Sequence, residues 1–317
     1  MHTRTFATLV MLFFAMAAGS VGASASPDGN DAFLGRWDIT ATGTKSGLPR
    51  NCWLELRRDE GVLRGRFNPG GGAVFDLPRV TIENGELKFQ YPADESEPPQ
   101  VWRGTVAGSR LRGTALVRGE TLTWNGVRGP AWPATPPHRK PGTPIDLFNG
   151  KDLSGWLCQD PHRPIGWSVK DGVLLNEGKG ANNIYTGQKF NDFKLDVEFN
   201  VDPQSNSGVY LRGRYEIQIL DGYGRPLDIH SQGALYGFIV PTVNADKPAG
   251  QWQTYEITLI ANRVTVILNG TNIINNGEVP GITGGALDAN EMGPGPILLQ
   301  GDHGRVQFRK VRITPLI

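Results

Sequence analysis

Residues 215–221 hold the side chains whose types and spacing best suit chemistry. Their sequence, YEIQILD, alternates polar and apolar residues, which is typical of a strand with one face toward a core. If Ile217 and Ile219 face inward, Glu216 and Gln218 share the opposite face, because successive strand side chains point to opposite sides. A carboxylate and an amide placed together can transfer protons and hydrogen bond to hydroxyl groups.

Other segments place polar side chains in the same alternating way. On the assumption that their strands are neighbours of residues 215–221, these side chains form one surface with them. The expected members of that surface are Glu198, Arg212, Glu216, Gln218 and Gln300.

Carboxylates, amides and guanidinium groups suit paired contacts with sugar hydroxyls, with an aromatic ring beneath the sugar. The candidate aromatic residues are Tyr210, Tyr236 and Trp252. The alternative is a solvated strand face with ordinary charge pairs.

A second candidate group follows the strand that ends at Gln300. His303 stands beside Asp302, and such a histidine can serve as a general base or a metal ligand. Asp221 ends its strand, where its carboxylate either turns toward Glu216 or caps the loop. A divalent cation could sit among carboxylates and amide oxygens, but no ligand spacing demands one, so the metal is left unknown.

The elements that must position these residues are short strands, since 42 glycines and 23 prolines accompany few helical patterns. Alternating segments predict a small antiparallel β-barrel or β-sandwich over residues 31–128, with a hairpin at Asn84-Gly85. The Pro-rich residues 129–144 read as a stiff linker. Residues 145–317 then predict a two-sheet sandwich with a hairpin at Asn269-Gly270. The N-terminal part shows no catalytic set, which favours an accessory role.

The N-terminus has the pattern of a signal peptide, residues 1–25, with an apolar run too short for a bilayer span. No cysteine follows it, so we expect a secreted or periplasmic protein without a lipid anchor. With 32 basic and 31 acidic residues, neither nucleic acid binding nor membrane insertion is expected. Cys52 and Cys158 either form one bridge or remain separate buried thiols. The oligomeric state is open.

Residues from about 145 to 317 carry several motifs in a defined order. They are LFNGKDLSGW at 147–156, NSGVYLRGRYEIQILD at 206–221, GALYG at 233–237, WQTYEI at 252–257 and GPILLQGDHGRVQFRKVRI at 295–313. With these motifs, this part of the chain resembles the 3-keto-disaccharide hydrolase family.

The resemblance implies an all-β, concanavalin-like jelly-roll domain that cleaves 3-keto-glycosides or 3-keto-disaccharides by hydrolysis or by elimination and hydration. A ketone at carbon three acidifies the proton on carbon two, so a base and an enolate stabiliser suffice. We expect Glu216 or Glu198 as the base and Arg212 or a cation as the stabiliser. His303 would assist the leaving group or the addition of water. The expected substrate-binding residues are Gln218, Tyr210, Asp221, Tyr236, Trp252 and Gln300.

Two other functions fit the same sequence. A conventional glucanase of this fold carries acids at alternating positions of one strand, but here Gln218 and Leu220 follow Glu216. A noncatalytic lectin-like module would use the same polar and aromatic groove for binding alone.

Overall fold

The computed structural model describes residues 29–43, 47–91, 99–178 and 180–317. The signal peptide predicted over residues 1–25 lies outside these ranges. Within them, no helix has the length and apolar character of a membrane span. A short 3-10 helix, Gly29–Phe33, precedes the first strand.

The N-terminal part of the chain is one antiparallel sheet. Its nine strands are β1 Gly35–Thr42, β2 Arg50–Asp59, β3 Val62–Asn68, β4 Phe75–Asp76, β5 Val80–Glu83, β6 Glu86–Tyr91, β7 Gln100–Ala107, β8 Arg110–Val117 and β9 Glu120–Arg128. Their order is β4-β3-β2-β1-β9-β8-β7-β6-β5. The sheet curls until β3 approaches β5, so of the two predicted architectures it is closer to a barrel.

Aromatic side chains fill the inside of this curled sheet. Phe67 lies 4.9 Å from Trp102 and 5.0 Å from Phe89, measured between ring centroids. Trp37 and Trp124 belong to the same buried cluster. Large rings bury much apolar surface per residue, which stabilises a sheet of this small size.

Within the described residues, the C-terminal part of the chain also consists of β-strands. They are β10 Ile145–Asp146, β11 Trp156–Cys158, β12 Trp167–Lys170, β13 Val173–Asn176, β14 Ile184–Thr186, β15 Asp192–Val201, β16 Asn206–Leu211, β17 Tyr215–Leu220, β18 Gln253–Ile260, β19 Arg263–Leu268, β20 Thr271–Glu278, β21 Leu298–Leu299 and β22 Val306–Leu316.

These strands form two sheets that share one core. The larger has the order β12-β13-β22-β15-β18-β19-β20, with β10 also paired to β22, and the smaller has the order β11-β14-β21-β16-β17. The chain crosses repeatedly between the sheets, as in a jelly roll, and apolar residues of both faces meet in one cluster. The predicted all-β fold class with a C-terminal jelly-roll sandwich is confirmed.

Both predicted hairpins are confirmed. Asn84 and Gly85 have φ of 51° and 75°, and Asn269 and Gly270 have φ of 52° and 80°. Positive φ at both central residues is the requirement of a tight two-residue hairpin turn, which Asn-Gly meets best. Each pair joins adjacent antiparallel strands.

The two faces of strand β2 pack against different cores, one in the N-terminal sheet and the other in the C-terminal sandwich. Cys52 and Leu54 point into the N-terminal core, whereas Trp53 between them is buried in the core of the sandwich. The Trp53 ring meets Phe238 edge-on with centroids 5.5 Å apart. One strand therefore belongs to both cores, which fixes the curled sheet against the sandwich.

The two cysteines are free. Cys52 is buried, and burial raises the pKa of its thiol to about 12. Cys158 is half-buried and lies in β11 of the C-terminal part of the chain. Of the two alternatives, separate thiols match the structure.

Candidate active site

Glu216 and His303 line the same cleft, which has a volume of about 270 Å³. Strand β17 supplies Glu216 and Gln218, and the neighbouring β16 supplies Asn206 and Tyr210. Strand β21 pairs with β16, so the chain after it brings Gln300 and His303 to the same face. The predicted alternation of β17 is confirmed, since Ile217 and Ile219 enter the core.

Glu216 is buried beside a glycine that makes room for it. The side chain is 3% exposed, and burial raises its pKa to about 8, against the opposing effects of the Tyr210 hydrogen bond and the His303 charge. A Cβ on Gly208 would lie 2.3 Å from Glu216 Oε1. A side chain at residue 208 of β16 would therefore collide with the Glu216 carboxyl group in its present position.

The Tyr210 hydroxyl lies 2.8 Å from Glu216 Oε2 and 2.9 Å from the carbonyl oxygen of Gly284. Its single proton can satisfy one of these oxygens at a time. The hydroxyl therefore donates to Glu216 Oε2 or to the Gly284 carbonyl oxygen, and donation to Glu216 leaves Oε1 as the oxygen that can carry the carboxyl proton. Gln300 Nε2 also donates to the Tyr210 hydroxyl at 3.3 Å.

His303 is half-exposed at the cleft and is oriented by its neighbour. Its Nδ1 lies 2.7 Å from Asp302 Oδ1. This hydrogen bond raises the pKa of His303, although partial burial opposes the shift. Burial acts to raise the pKa of Asp302, but the bond to His303 and its charge lower it overall. An Asp-oriented imidazole of this kind is suited to proton transfer.

Three amide oxygens of the cleft lack a hydrogen-bond partner within the described residues. They are Asn206 Oδ1, Gln218 Oε1 and Gln300 Oε1. A buried polar atom without a partner is costly in a folded protein, and such atoms mark places where ligand groups bind. The cleft therefore offers acceptors for hydroxyl groups.

Tyr236 reaches the cleft through a segment that runs along the free edge of β17. Its backbone N donates to the Glu216 carbonyl oxygen at 3.0 Å, and Gln218 N donates to Ala234 O at 3.0 Å. The predicted substrate-binding residues Gln218, Tyr210, Tyr236 and Gln300 are thus brought together.

Four predicted residues lie elsewhere. Glu198 belongs to β15 in the larger sheet, where it binds Arg309 at 2.6 Å, and Trp252 stacks with the same arginine. Asp221 Oδ2 accepts a hydrogen bond from Gln204 N at 3.0 Å, which is the capping alternative.

Arg212 is the fourth, and the expectation that it faces the cleft is wrong. Strand β16 ends at Leu211, and Arg212 has φ of 53°, so the alternation stops one residue earlier. Its buried guanidinium binds Asp192 Oδ1 at 2.9 Å and the Asn191 carbonyl oxygen at 2.7 Å. Glu198 is excluded from the shared surface for a different reason, its position in the opposite sheet.

Comparisons with known proteins bear on this cleft. The profile of the family described as 3-keto-alpha-glucoside-1,2-lyase-like domain matches residues 143–314. The chain belongs to this family. The resemblance drawn from the motifs is confirmed.

A Bacteroides thetaiotaomicron protein named 3-keto-disaccharide hydrolase is a relative of this chain. The two are 26% identical over 165 residues, which cover 41% of this chain and 57% of the relative. The chain thus spans little more than half the length of that curated relative.

Two solved structures are also similar. A candidate glycosyl hydrolase from Parabacteroides distasonis is 31% identical, covering 59% of this chain and 94% of its own, with a TM-score of 0.45. The carbohydrate binding module CBM66 from Bacillus subtilis is 10% identical, covering 50% of this chain and 94% of its own, with a TM-score of 0.36.

Sequence reasoning missed several residues that line the cleft. Asn206 shares a face with Gly208 and Tyr210 at two-residue spacing, so the strand pattern held a signal for it. Asn183, beside β14, had no such signal. Gly70, Gly71 and Gly72 also line the cleft, although they belong to the N-terminal sheet and lie outside the matched family domain.

The described residues contain no group of three or more His, Cys, Asp or Glu side chains arranged to hold a metal ion. No arginine or lysine lines the described cleft either. Among the lining residues described, His303 is the one that carries positive charge when its imidazole is protonated.

Proposed function

We propose that this protein cleaves the glycosidic bond of 3-keto-glycosides by elimination followed by hydration. The observation that carries the proposal is the pairing, in one cleft, of a buried carboxyl group with a raised pKa and an Asp-oriented histidine. The family description and the name of the Bacteroides relative support the substrate class.

Glu216 suits the role of a hydrogen-bond donor to the ketone. With a pKa of about 8 it is protonated at neutral pH. When Tyr210 donates to Oε2, the proton of Glu216 can lie on Oε1 and donate to the ketone oxygen. A neutral carboxylic acid in this position stabilises the enolate as negative charge develops on that oxygen. This role replaces the expected one of Arg212.

His303 suits the role of the base. Asp302 accepts the Nδ1 proton, which leaves Nε2 with a free electron pair. His303 removes the proton from carbon two, and the electron pair enters the enolate. The enolate then re-forms the ketone and a double bond between carbons one and two, and the bond from carbon one to the leaving oxygen breaks. Protonated His303 returns its proton to that oxygen.

Hydration completes the cleavage. Water adds its oxygen to carbon one and a proton to carbon two, so the net reaction is hydrolysis. The amide groups of Asn206, Gln218 and Gln300 supply hydrogen-bond partners for the remaining hydroxyls. A divalent cation is outside these steps, and a chelator arm in the assay tests for one.

The test incubates the protein with a 3-keto-glucoside, its unoxidised parent and a β-glucan, with and without chelator, in D₂O. We expect release from the keto sugar alone, with deuterium on carbon two of the product, because elimination exchanges that proton. Release without deuterium contradicts elimination. Cleavage of the glucan favours a conventional glucanase and contradicts the proposal.

A noncatalytic carbohydrate-binding role is the second candidate. The unpartnered amide oxygens favour it, because they serve binding as well as turnover. Binding of the keto sugar without any release would support this role against the enzymatic one.

We also propose that the protein is exported to the periplasm or the medium. The apolar N-terminal run followed by small residues supports export. N-terminal sequencing of the protein recovered from the native cells would test it, with a mature N-terminus near residue 26 as the expected result.

A further inference from the structure

A glycine loop of the N-terminal sheet reaches the candidate active site. Gly70, Gly71 and Gly72 follow β3 and line the same cleft as Glu216 and His303. The matched family domain begins at residue 143. This wall of the cleft is therefore contributed by a part of the chain that the family profile does not include.

Two buried asparagines of the N-terminal sheet hold the loop against the sandwich. Asn68 Oδ1 accepts from Gly70 N at 2.9 Å, and Asn68 Nδ2 donates to the Ile282 carbonyl oxygen at 3.2 Å. Asn51 Nδ2 donates to Ala286 O at 2.9 Å. Their side chains are 1% and 4% exposed, so these bonds are shielded from water and geometrically specific.

The contact between the two parts is close because both sides are glycine. Gly285 N donates to Gly70 O at 3.2 Å. A Cβ on Gly284 would lie 2.5 Å from Gly72 O. Any side chain at residue 284 would push the glycine loop away from the cleft.

The same sandwich segment, residues 280–286, also holds Glu216 and Tyr210 in place. Thr283 Oγ1 accepts a hydrogen bond from Glu216 N at 3.0 Å, and Gly284 O lies 2.9 Å from the Tyr210 hydroxyl. The glycine loop is thus held at a fixed place relative to Glu216.

The loop presents backbone without side chains to the cleft. Nothing lies within 4 Å of the place where a Cβ would stand on Gly71 or Gly72. Within the described residues, no hydrogen bond engages the N–H groups of these two glycines. Free backbone donors on a smooth surface suit a sugar unit that packs by its face and accepts hydrogen bonds.

We propose that residues 70–72 form a second sugar subsite, which binds the part of the substrate beyond the ring attacked by His303. The inference rests on the proposed function and adds that the N-terminal sheet takes part in binding the substrate. The ring attacked by His303 binds the polar side chains of the sandwich, so residues 70–72 remain available to contact the second sugar unit of the substrate. The volume of about 270 Å³ lies just below the usual range for ligand pockets, so the cleft suits a short substrate and not a long sugar chain.

The test replaces Gly71 of this loop by phenylalanine. Gly71 has no left-handed φ and open space at its Cβ, so Gly71→Phe can fold without strain and narrows the subsite. The matched control is Gly187→Phe. Gly187 is exposed, has no left-handed φ, lies outside the cleft, and its Cβ would have no neighbour closer than 3.8 Å.

For Gly71→Phe we expect KM for a 3-keto-disaccharide to rise about tenfold while KM for methyl 3-keto-glucoside changes less than about twofold. Gly187→Phe should match the wild type on both substrates. Equal effects on the two substrates, or no effect, would overturn the subsite.

Calorimetric titration with the unoxidised disaccharide and with methyl glucoside separates this inference from the proposed function. If the wild type cleaves no keto sugar, the proposed function fails. A selective loss of disaccharide binding in Gly71→Phe then still supports the subsite, and a wild type that binds no disaccharide overturns it.

Discussion

Two clefts in the described part of the chain hold buried carboxyl groups, and of these two one has the surroundings of a catalytic site. The first holds Glu216, and the second, of about 450 Å³, lies between the N-terminal sheet and residues 288–292 and is lined by Asp38 and Glu291. Burial raises the pKa of Glu216 and of Glu291 to about 8, and that of Asp38 to about 7. By pKa alone the two clefts look alike.

Their neighbours differ. In the first cleft the carboxyl group shares the cavity with His303, an imidazole whose pKa is raised by its hydrogen bond to Asp302. In the second, the like charge of Asp38 adds to the raised pKa of Glu291, while Arg36 and Arg214 lower the pKa of both carboxyl groups in part. A raised pKa therefore reports burial, and chemistry requires a complementary partner.

The largest expected effect is at His303. We expect His303→Asn to lower kcat/KM for a 3-keto-glucoside by about 10³-fold, since it removes the proposed base. The side chain is 51% exposed, so the melting temperature should stay within about 1 °C. Glu291→Gln is the control and should change kcat/KM less than about twofold. A loss below tenfold would remove His303 from the chemistry.

The next effect is steric. Gly208→Ala would put a Cβ 2.3 Å from Glu216 Oε1 and displace the carboxyl group. Because misplacement by about 1 Å can cost roughly 10²-fold, we expect a fall of that size in kcat/KM. Gly187→Ala, on the exposed surface, should have wild-type activity. Full activity of Gly208→Ala would mean that the position of Glu216 does not matter.

A smaller effect is expected when Glu216 becomes an amide that still donates a hydrogen bond. Glu216→Gln should lower kcat/KM about tenfold at pH 7. The wild-type profile should fall near pH 8 as Glu216 loses its proton, and the variant should lack that fall. A loss above about 10³-fold, with a wild-type profile that rises through pH 8, would make Glu216 the base.

The smallest effect concerns stability in the second cleft. The folded pKa of Glu291, about 8, exceeds its ordinary value of 4.5, so its contribution is fully present below pH 4.5 and is lost as pH rises through 8. Glu291→Gln should therefore be more stable than the wild type at pH 8.5 by about 1–2 kcal/mol, or about 2–6 °C in melting temperature. Thermal unfolding at pH 4 and 8.5 measures this. A variant that is less stable at pH 8.5 would show that the ionised carboxyl group is well compensated.

The site prediction succeeded where local rules apply and failed where distant strands decide. Glu216 and Gln218 share a face because the strand period is two, and Tyr210 and Gln300 join them because β16 pairs with both β17 and β21. Glu198 has the same alternation, yet its strand lies in the other sheet. A pattern of inward and outward residues does not say which sheet a strand joins.

The sequence by itself determined the all-β class, the two Asn-Gly hairpins and the polar face of β17, since each depends on residues a few positions apart. Tertiary structure alone decided that Arg212 turns away and that the glycine loop after β3 enters the cleft. Residues 70–72 meet residues 284–285 across more than 200 positions of chain, a contact made by backbone and by the absence of side chains. Such a contact has no hydrophobic or charge pattern, so it becomes visible only when both parts are folded together.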